Sequence, residues 1–187
     1  LNMGLSYPEI LPRLSEVALT HQVGEMYNYQ NVAYSLIGDV IASCTGRTYD
    51  ELLRERVFQP LGMYQASTSY EAMLNGDNVA KPHNPHLGGY HRIELEPNYY
   101  EVVPAAGVNA SVSDMAEWLL LMMGERPDVL SPGSLAEVCT PQVPVSTRER
   151  NFRGWYGLEA AWYGLGWRVL DWKGRRLIYH GGYVDGF

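Results

Sequence analysis

Cysteine, basic residues and long apolar runs are scarce in this chain of 187 residues, and each scarcity removes a class of function. Its two cysteines, Cys44 and Cys139, are too few for a disulfide framework or a cysteine-based zinc site. No stretch approaches the roughly 18 consecutive apolar residues of a membrane span. With 14 basic against 21 acidic residues and a net charge of −7, nucleic acid is not a favoured partner, because its binding needs clustered positive charge.

Two consecutive helices are predicted in the first third of the chain. Residues 31–44 carry apolar side chains at helical spacing, at Ala33, Leu36, Ile37, Val40, Ile41 and Cys44. We expect this set to form one buried face, with Cys44 as a small core residue, and Gly46 to end the helix. Thr48 and Glu51 have the spacing of a capping box, which predicts that a second helix begins there and ends at a Pro-Leu-Gly-Met sequence.

The middle of the chain alternates between irregular and helical sequence. Residues 64–104 hold no long period and are interrupted repeatedly by proline, glycine and Asn-Gly, which predicts a long loop with room for short strands. A firm helix is predicted over 111–123, where Ser111 and Asp114 resemble an N-terminal cap pair and Gly124 follows.

The last third changes to a strand pattern. Residues 163–170 are predicted to form one strand, 171–174 a turn, and 175–180 a returning strand that ends at two glycines. Helices followed by a hairpin indicate an α/β protein. We expect a mostly helical subdomain over 1–160, including the long loop, and a hairpin of an incomplete α/β domain over 161–187.

A Tyr-Gln-Asn sequence, Tyr29 to Asn31, stands directly before the first predicted helix. On its own it fits a half-buried tyrosine followed by a helix whose N-cap is Asn31. It also fits a catalytic pair. A tyrosine near a cation can relay a proton, and an asparagine amide can hold a substrate amide or an activating lysine.

A His-Gly-Gly sequence, His180 to Gly182, follows the last predicted strand. Two glycines at a strand end are explained by a bulge or a turn. They also fit an exposed edge strand beside a nucleophile. There the substrate can approach the backbone closely, and the N–H of Tyr183 can point at a developing oxyanion.

Four blocks of sequence, in this order, resemble the β-lactamase-like serine hydrolases, a group that includes class C β-lactamases, penicillin-binding proteins and esterases. The blocks are Tyr27–Asn31 with the two following helices and Pro-Leu-Gly-Met, Pro104–Gly107 with Ser111–Trp118, Tyr163–Trp167, and His180–Phe187. The resemblance spans 27–187. It implies the β-lactamase/transpeptidase-like fold, in which a helical subdomain stands beside an antiparallel sheet flanked by helices, and this chain would hold part of that sheet.

The resemblance also implies roles for individual residues. Tyr29 would act as general base and acid, and Asn31 would contact the substrate and a lysine. The third motif would be His180, Gly181 and Gly182. Tyr183 would supply one N–H of the oxyanion hole. The chemistry would be acyl transfer through a covalent acyl-serine, with no cofactor and no metal.

The nucleophile motif of this group, Ser-x-x-Lys, has no counterpart in the chain. The chain's two lysines are Lys81 and Lys173, and the residues three positions before them are Asn78 and Leu170. We therefore expect an internal piece of a larger serine hydrolase that is inactive alone. The alternative is a non-catalytic binding module on the same scaffold, which an upstream sequence without Ser-x-x-Lys would favour.

The third motif departs from that of many β-lactamases, which carry Lys-Thr-Gly there. A histidine is charged only part of the time near neutrality, and Gly181 offers no hydroxyl, so a substrate carboxylate would be held weakly. The resemblance thus favours hydrolysis of an ester, an amide or a D-peptide over a class C-type β-lactamase activity. The expected partner is a small-molecule or peptide acyl substrate; periplasm and cytoplasm are both compatible with the sequence, and the oligomeric state is not indicated.

Three histidines, His83, His86 and His91, have spacings that could suggest a metal site. They lie in the predicted Pro- and Gly-rich loop, where no helix would align them. A solvated surface loop is therefore the favoured interpretation.

Overall fold

The structure, a computed structural model, describes residues 5–187. Within them the chain forms two compact units. Unit one comprises residues 5–17, 30–125 and 183–187, and unit two comprises residues 18–29 and 126–182. The division that the sequence predicts, at residue 160, falls inside a strand of unit two and stays a prediction.

Unit one is mainly helical and carries one small hairpin. Its α-helices are α1 (Tyr7–Ile10), α2 (Asn31–Thr45), α3 (Tyr49–Leu53), α4 (Gln59–Leu61), α5 (Tyr70–Asn75), α6 (Val103–Ala106) and α7 (Val112–Met122). A π-helical turn, Arg54–Phe58, joins α3 to α4, and 3-10 helices cover Leu11–Glu16 and Pro97–Val102. The hairpin pairs β1 (His83–His86) antiparallel with β2 (Gly89–Arg92).

The helix ends of unit one follow the predicted caps. The Thr48 hydroxyl accepts the N–H of Glu51 at 3.2 Å, which begins α3 as a capping box. The Ser111 hydroxyl accepts the N–H of Asp114 at 3.1 Å, and the Asp114 carboxylate accepts the N–H of Ser111 at 2.9 Å. Gly46 ends α2 with a φ of 68°, in the left-handed region.

The N-cap of α2 is Gln30. Its side-chain oxygen accepts the N–H of Val32 at 3.1 Å, and Asn31 is the first residue of the helix. The interpretation of Asn31 as the N-cap is therefore wrong. An extended glutamine one position earlier supplies the same acceptor, so the asparagine side chain is not needed for the cap.

The predicted loop over 64–104 is more structured than expected. It contains α5, both strands of the hairpin and a 3-10 helix. The Ser69 hydroxyl caps α5 by accepting the N–H of Ala72 at 3.2 Å, and Gly88 makes the hairpin turn with a φ of 97°. Elements of four to six residues span too few periods for an apolar pattern to reveal them.

Helix α2 packs through small residues. Val32 and Ser35 are buried, and the Ser35 hydroxyl lies 3.4 Å from the carbonyl of Val102. Gly38, one turn further on, approaches Pro104 so closely that a Cβ at position 38 would lie 3.1 Å from the proline ring. Helices α2 and α6 can approach each other closely because Ser35 and Gly38 are small. Larger side chains at these two positions would push the helices apart.

The apolar set predicted as the buried face of α2 is largely exposed. Leu36, Ile37 and Val40 are 37–53% exposed, and Cys44 is exposed as well. The expectation of a buried apolar face with Cys44 in the core is therefore wrong. Periodicity identified the helix, but contacts with α6 selected another face.

Unit two contains one helix and an antiparallel sheet. The elements are α8 (Pro132–Val138), β3 (Val143–Pro144), a 3-10 helix (Arg150–Phe152), β4 (Leu158–Tyr163), β5 (Arg168–Trp172) and β6 (Arg175–Tyr179). The strands lie in the order β3-β4-β5-β6. Val169 and Leu170 are fully buried because β5 has a neighbour on each side.

The segment 163–170, predicted as one strand, instead turns between two strands. Strand β4 ends at Tyr163, β5 begins at Arg168, and Gly166 makes the turn with a φ of 83°. A Cβ on Gly164 would lie 2.9 Å from the Val138 carbonyl oxygen, so that position also requires glycine.

The turn predicted over 171–174 and the returning strand are confirmed. Lys173 and Gly174 have φ values of 49° and 70°, and Trp172 pairs with Arg175 on either side of them. Positive φ at both central residues is typical of the two-residue turn that matches strand twist.

The core of unit two joins the sheet to the segment that precedes α2. Its buried members are Val145, Phe152, Ala161 and Leu170. Tyr27, from the segment 18–29, packs against this cluster together with Tyr163 and Tyr179. None of the helices formed by residues 5–187 is long and apolar enough to cross a membrane.

Candidate active site

Tyr29 and His180, far apart in the sequence, lie side by side in unit two. Their ring centroids are 6.0 Å apart, with an angle of 33° between the ring planes. The Tyr-Gln-Asn and His-Gly-Gly sequences thus each contribute one ring to the same place, while the catalytic roles of Tyr29 and His180 stay predictions. Tyr29 is 47% exposed, so a substrate can reach it.

Tyr163, to which sequence analysis assigned no role, joins the pair. Its hydroxyl lies 3.1 Å from His180 Nε2, and its ring meets the ring of Tyr29 edge-on at 6.3 Å. The sheet register explains the meeting, because Arg168 on β5 pairs with Tyr163 on one side and with Tyr179, the neighbour of His180, on the other. The one signal in the sequence was that Tyr163 opens the Tyr-Gly-Leu-Gly-Trp block.

Tyr27 forms the aromatic support behind Tyr29. Its ring stacks on Tyr163 at a centroid distance of 4.8 Å and lies 6.4 Å from the ring of Tyr29. Burial raises the pKa of the Tyr27 hydroxyl, and the positive charge of Arg168 acts in the opposite direction. Tyr27 therefore stays protonated near neutral pH and anchors the segment that carries Tyr29.

The surroundings of His180 oppose its protonation. Burial lowers the pKa of its imidazole from the ordinary 6.5, a hydrogen bond with the Gly181 backbone raises it, and the positive charge of Arg168 lowers it further. The interaction with the Gly181 backbone therefore partly offsets the effect of burial on the pKa of His180. Nε2 of His180 shares a hydrogen bond with the Tyr163 hydroxyl, in which the tautomer of the ring decides which atom donates.

The residues after His180 lie outside the sheet. Strand β6 ends at Tyr179, and Gly181, Gly182 and Tyr183 are exposed and belong to no strand. The expectation of an edge strand through these residues is therefore wrong, because no strand formed by residues 5–187 pairs with them. Gly181 is required as glycine, because a Cβ there would lie 3.0 Å from the Tyr179 hydroxyl oxygen.

Asn31 and Tyr183 belong to unit one. Asn31 is partly buried at the first turn of α2. The Tyr183 side chain is 84% exposed, and its hydrogen bond with Asp185 raises the pKa of its hydroxyl. Of the predicted site residues, the structure thus places Tyr29 and His180 together in unit two.

Unit one holds a cavity of about 740 Å³, and the residue that follows Tyr183 in the sequence is part of its wall. Val184 and Phe187 line it, and the Tyr99 hydroxyl, on another wall, accepts the N–H of Asp185 at 3.1 Å. Aromatic and aliphatic walls come from Tyr64, Met73, Val79, Leu95, Tyr99, Tyr100 and Val108. Among the described residues that line it, none is charged and none is a histidine.

Asn109 holds the polar part of this cavity in place. Its side-chain oxygen accepts the Tyr100 hydroxyl at 2.6 Å, and its NH2 group donates to the Ser67 hydroxyl and the Ser69 carbonyl at 3.1 and 3.0 Å. The backbones of Ser67 and Asn109 also form a β-bridge. Because these three hydrogen bonds already engage both ends of its amide, the Asn109 side chain is held in one position and shapes the cavity wall.

The structure gives no support to a histidine metal site. His86 and His91 lie on one face of the exposed β1–β2 hairpin, with ring centroids 5.2 Å apart. Across residues 5–187, no group of three or more His, Cys, Asp or Glu side chains is arranged to hold a metal ion.

Known proteins resemble this chain over nearly its whole length. The Beta-lactamase family model matches residues 2–187. A D-aminopeptidase of Brucella anthropi is 30% identical over 182 residues, which cover 93% of this chain and 30% of that protein. The unguisins hydrolase ungD' of Aspergillus campestris is 27% identical over 164 residues, 86% of this chain and 29% of that protein.

A solved structure shares the fold. The octameric penicillin-binding protein homologue from Pyrococcus abyssi superposes with a TM-score of 0.75 at 21% identity, covering 92% of this chain and 37% of that one. The predicted β-lactamase/transpeptidase-like fold is thereby confirmed. The chain spans about 30% of the length of the two curated relatives named above.

Proposed function

This chain belongs to the Beta-lactamase family of serine hydrolases, and we propose that the protein carrying it hydrolyses a neutral amide, D-peptide or ester through an acyl-serine intermediate. The observation that carries the proposal is the meeting of Tyr29 and His180 at a ring distance of 6.0 Å, with Tyr163 bonded to His180. An exposed tyrosine held by an aromatic wall is suited to moving a proton at a reacting carbonyl.

The reaction requires a serine from outside this chain, which contains no Ser-x-x-Lys. Tyr29 takes the proton of the serine hydroxyl while the serine oxygen attacks the substrate carbonyl carbon. The tetrahedral oxyanion collapses, the bond to the leaving group breaks, and Tyr29 returns the proton to that group. Water then attacks the carbonyl carbon of the acyl-serine and loses a proton to Tyr29. The bond from that carbon to the serine oxygen breaks, Tyr29 gives the proton to the serine oxygen, and the acid is released from the regenerated enzyme.

Two features favour a substrate group without a negative charge. His180 is neutral near pH 7 because burial lowers its pKa, so it does not attract a carboxylate as the lysine of Lys-Thr-Gly would. The cavity of unit one, which adjoins Tyr183 in the chain, has apolar and aromatic walls without charge among its described residues. Both features disfavour a β-lactam, whose carboxylate needs a cation.

The similarity to a D-aminopeptidase supports an amide or peptide bond as the one cleaved. The polar side chains of the cavity wall are uncharged amides and hydroxyls and include Gln65, Asn78, Asn109, Ser67 and Ser111. We therefore infer that a group bound in this cavity of unit one is apolar or aromatic and uncharged.

The test uses the full-length protein with D-phenylalanine p-nitroanilide, p-nitrophenyl acetate and a chromogenic cephalosporin. We expect turnover of the first two to exceed that of the third. Tyr29→Phe should lower kcat/KM by roughly 10² to 10⁴-fold, as the loss of a general base does. Tyr156→Phe is the matched control, since Tyr156 is 85% exposed in unit two and not part of the site, and its activity should stay at the wild-type level.

Mass spectrometry of the reacted protein supplies the second measurement. An acyl group on a serine followed three residues later by lysine is the expected adduct. Full activity of Tyr29→Phe would refute the role of Tyr29. Binding of the D-peptide without turnover and without an adduct would favour a non-catalytic binding module instead.

A further inference from the structure

Arg168 is a buried cation that forms no ion pair with a carboxylate within residues 5–187. It is 6% exposed, and among the described residues its Nη1 has no hydrogen-bond partner. Its Nη2 reaches one acceptor, the Tyr27 hydroxyl, at the long distance of 3.5 Å. A buried charge is costly unless it is paired, so this guanidinium acts on its surroundings with little compensation.

Three aromatic rings surround the guanidinium. Its Cζ lies 5.9 Å from the ring centroid of Tyr27, 5.6 Å from that of Phe152 and 6.0 Å from that of Tyr163. The negative faces of such rings attract the cation and hold it in place. The rings do not neutralise the charge of the guanidinium. Its electrostatic potential therefore acts on the residues that lie on the other side of these rings.

That next layer is the candidate active site. Tyr163 contacts His180 through its hydroxyl, and the stacked rings of Tyr27 and Tyr163 both flank Tyr29. The guanidinium thus touches the two rings that fix the positions of Tyr29 and His180. One of these rings, Tyr163, separates the guanidinium from His180 by a single contact, because it touches both.

We propose that Arg168 is a positioning residue that holds the Tyr27–Tyr163 stack and keeps His180 neutral, so that Nε2 of His180 accepts the Tyr163 hydroxyl beside Tyr29. The catalytic consequence rests on the proposed function, whereas the effect on the state of His180 does not. The third motif therefore works as a neutral acceptor held from behind by a cation, rather than as a cation facing the substrate.

The groups that face His180 come from three elements. The segment 18–29 contributes Tyr29, whose ring lies 6.0 Å from that of His180, and β4 contributes Tyr163, whose hydroxyl lies 3.1 Å from Nε2. Strand β5 contributes Arg168, whose positive charge lowers the pKa of His180, while the Gly181 backbone bond raises it. Glu149 acts on Tyr27 rather than on His180. Arg168 is therefore the charge whose removal should change the protonation of His180.

The experiment compares three variants of the full-length protein. Arg168→Met removes the charge and keeps an apolar side chain of similar reach, and Arg168→Lys keeps a positive charge. Arg176→Met is the control, because Arg176 is exposed and paired with Asp171 at 2.9 Å on the same sheet. The readouts are the NMR titration of the His180 ring, assigned with His180→Gln, and the pH profile of kcat and KM.

We expect the His180 titration midpoint to move to higher pH in Arg168→Met and to stay near the wild-type value in Arg168→Lys and Arg176→Met. We also expect kcat of Arg168→Met to fall by roughly tenfold or more with KM less affected, as misplacement of reacting groups does. Arg168→Lys should recover part of the loss.

A folded Arg168→Met protein with an unchanged His180 midpoint would overturn the proposal. If that variant does not fold, Arg168→Gln, which keeps hydrogen-bonding groups without the charge, decides in the same way. A shifted midpoint in a protein that hydrolyses none of the substrates would leave the link between Arg168 and His180 in place and refute the proposed function alone.

Discussion

At the scale of residues, His180 links the site to the stability of the protein. Burial, assisted by Arg168, keeps the pKa of the folded imidazole below the ordinary 6.5. The unfolded chain titrates near that ordinary value. Between the two pKa values the unfolded state binds more protons than the folded state, so the free energy of unfolding rises with pH through this window.

We predict that acidification below pH 6.5 weakens the folded protein and that His180→Gln reduces this loss, because glutamine takes no proton. Urea unfolding midpoints between about pH 5 and 7.5 measure the effect, since the histidine charge changes in this range. His91→Gln is the matched control, because it makes the same substitution at an exposed histidine of the β1–β2 hairpin. Equal slopes for wild type and His180→Gln would contradict the prediction.

Sequence alone indicated Tyr29 and His180, because both stand in short motifs beside predicted elements. It could not indicate Tyr163 and Arg168 as their neighbours. An arginine within a short strand is more often solvated than buried, and its contact with Tyr27 joins residues 141 positions apart. Such contacts are set by sheet register and packing, which no local pattern records.

At the scale of elements, the helices were predicted better than the faces they bury. The caps at Thr48 and Ser111 were correct because a hydroxyl and a carboxylate three residues apart act locally. The prediction of which face of α2 is buried was wrong. Closely packed helices meet through small residues, and a search for apolar residues at helical spacing does not identify those. The segment 163–170 was misassigned because its glycines make a turn, although its apolar residues suit a strand.

We predict that Gly38→Leu destabilises the protein, because a Cβ there already lies 3.1 Å from Pro104. Overpacking costs about 1 to 3 kcal/mol, which exceeds the gain of up to about 1 kcal/mol from replacing glycine in a helix. Ala42→Leu, at an exposed position of the same helix, is the matched control and should change little. Chemical denaturation measures both, and equal stability of the two variants would show that α2 and α6 can separate at no cost.

At the scale of the whole molecule, the fold could be predicted from four weak blocks in one order, since each block is short but their sequence is specific. The division into compact units could not, because residues 18–29 and 126–182 associate through contacts distant in the chain. The nucleophile that the family uses is absent from the 187 residues, so the activity of this chain by itself is a separate question.

We predict that residues 1–187 alone show no saturable turnover of p-nitrophenyl acetate or a chromogenic cephalosporin, because no serine stands three residues before a lysine. The full-length protein, assayed at equal concentration, is the comparison. Saturable turnover by the 187-residue chain that survives repurification and disappears in Tyr29→Phe would mean that another residue serves as nucleophile.

The turn between β5 and β6 has a practical consequence for labelling. Lys173 is the one lysine of unit two and lies at the tip of the hairpin, with its ammonium 4.7 Å from the centre of the Trp172 ring. An amine-reactive dye would therefore label the side chains of unit two at one known position, while Lys81 is the corresponding position of unit one. Because acylation removes the charge that rests on the indole, the fluorescence of Trp172 would itself report that the label is in place.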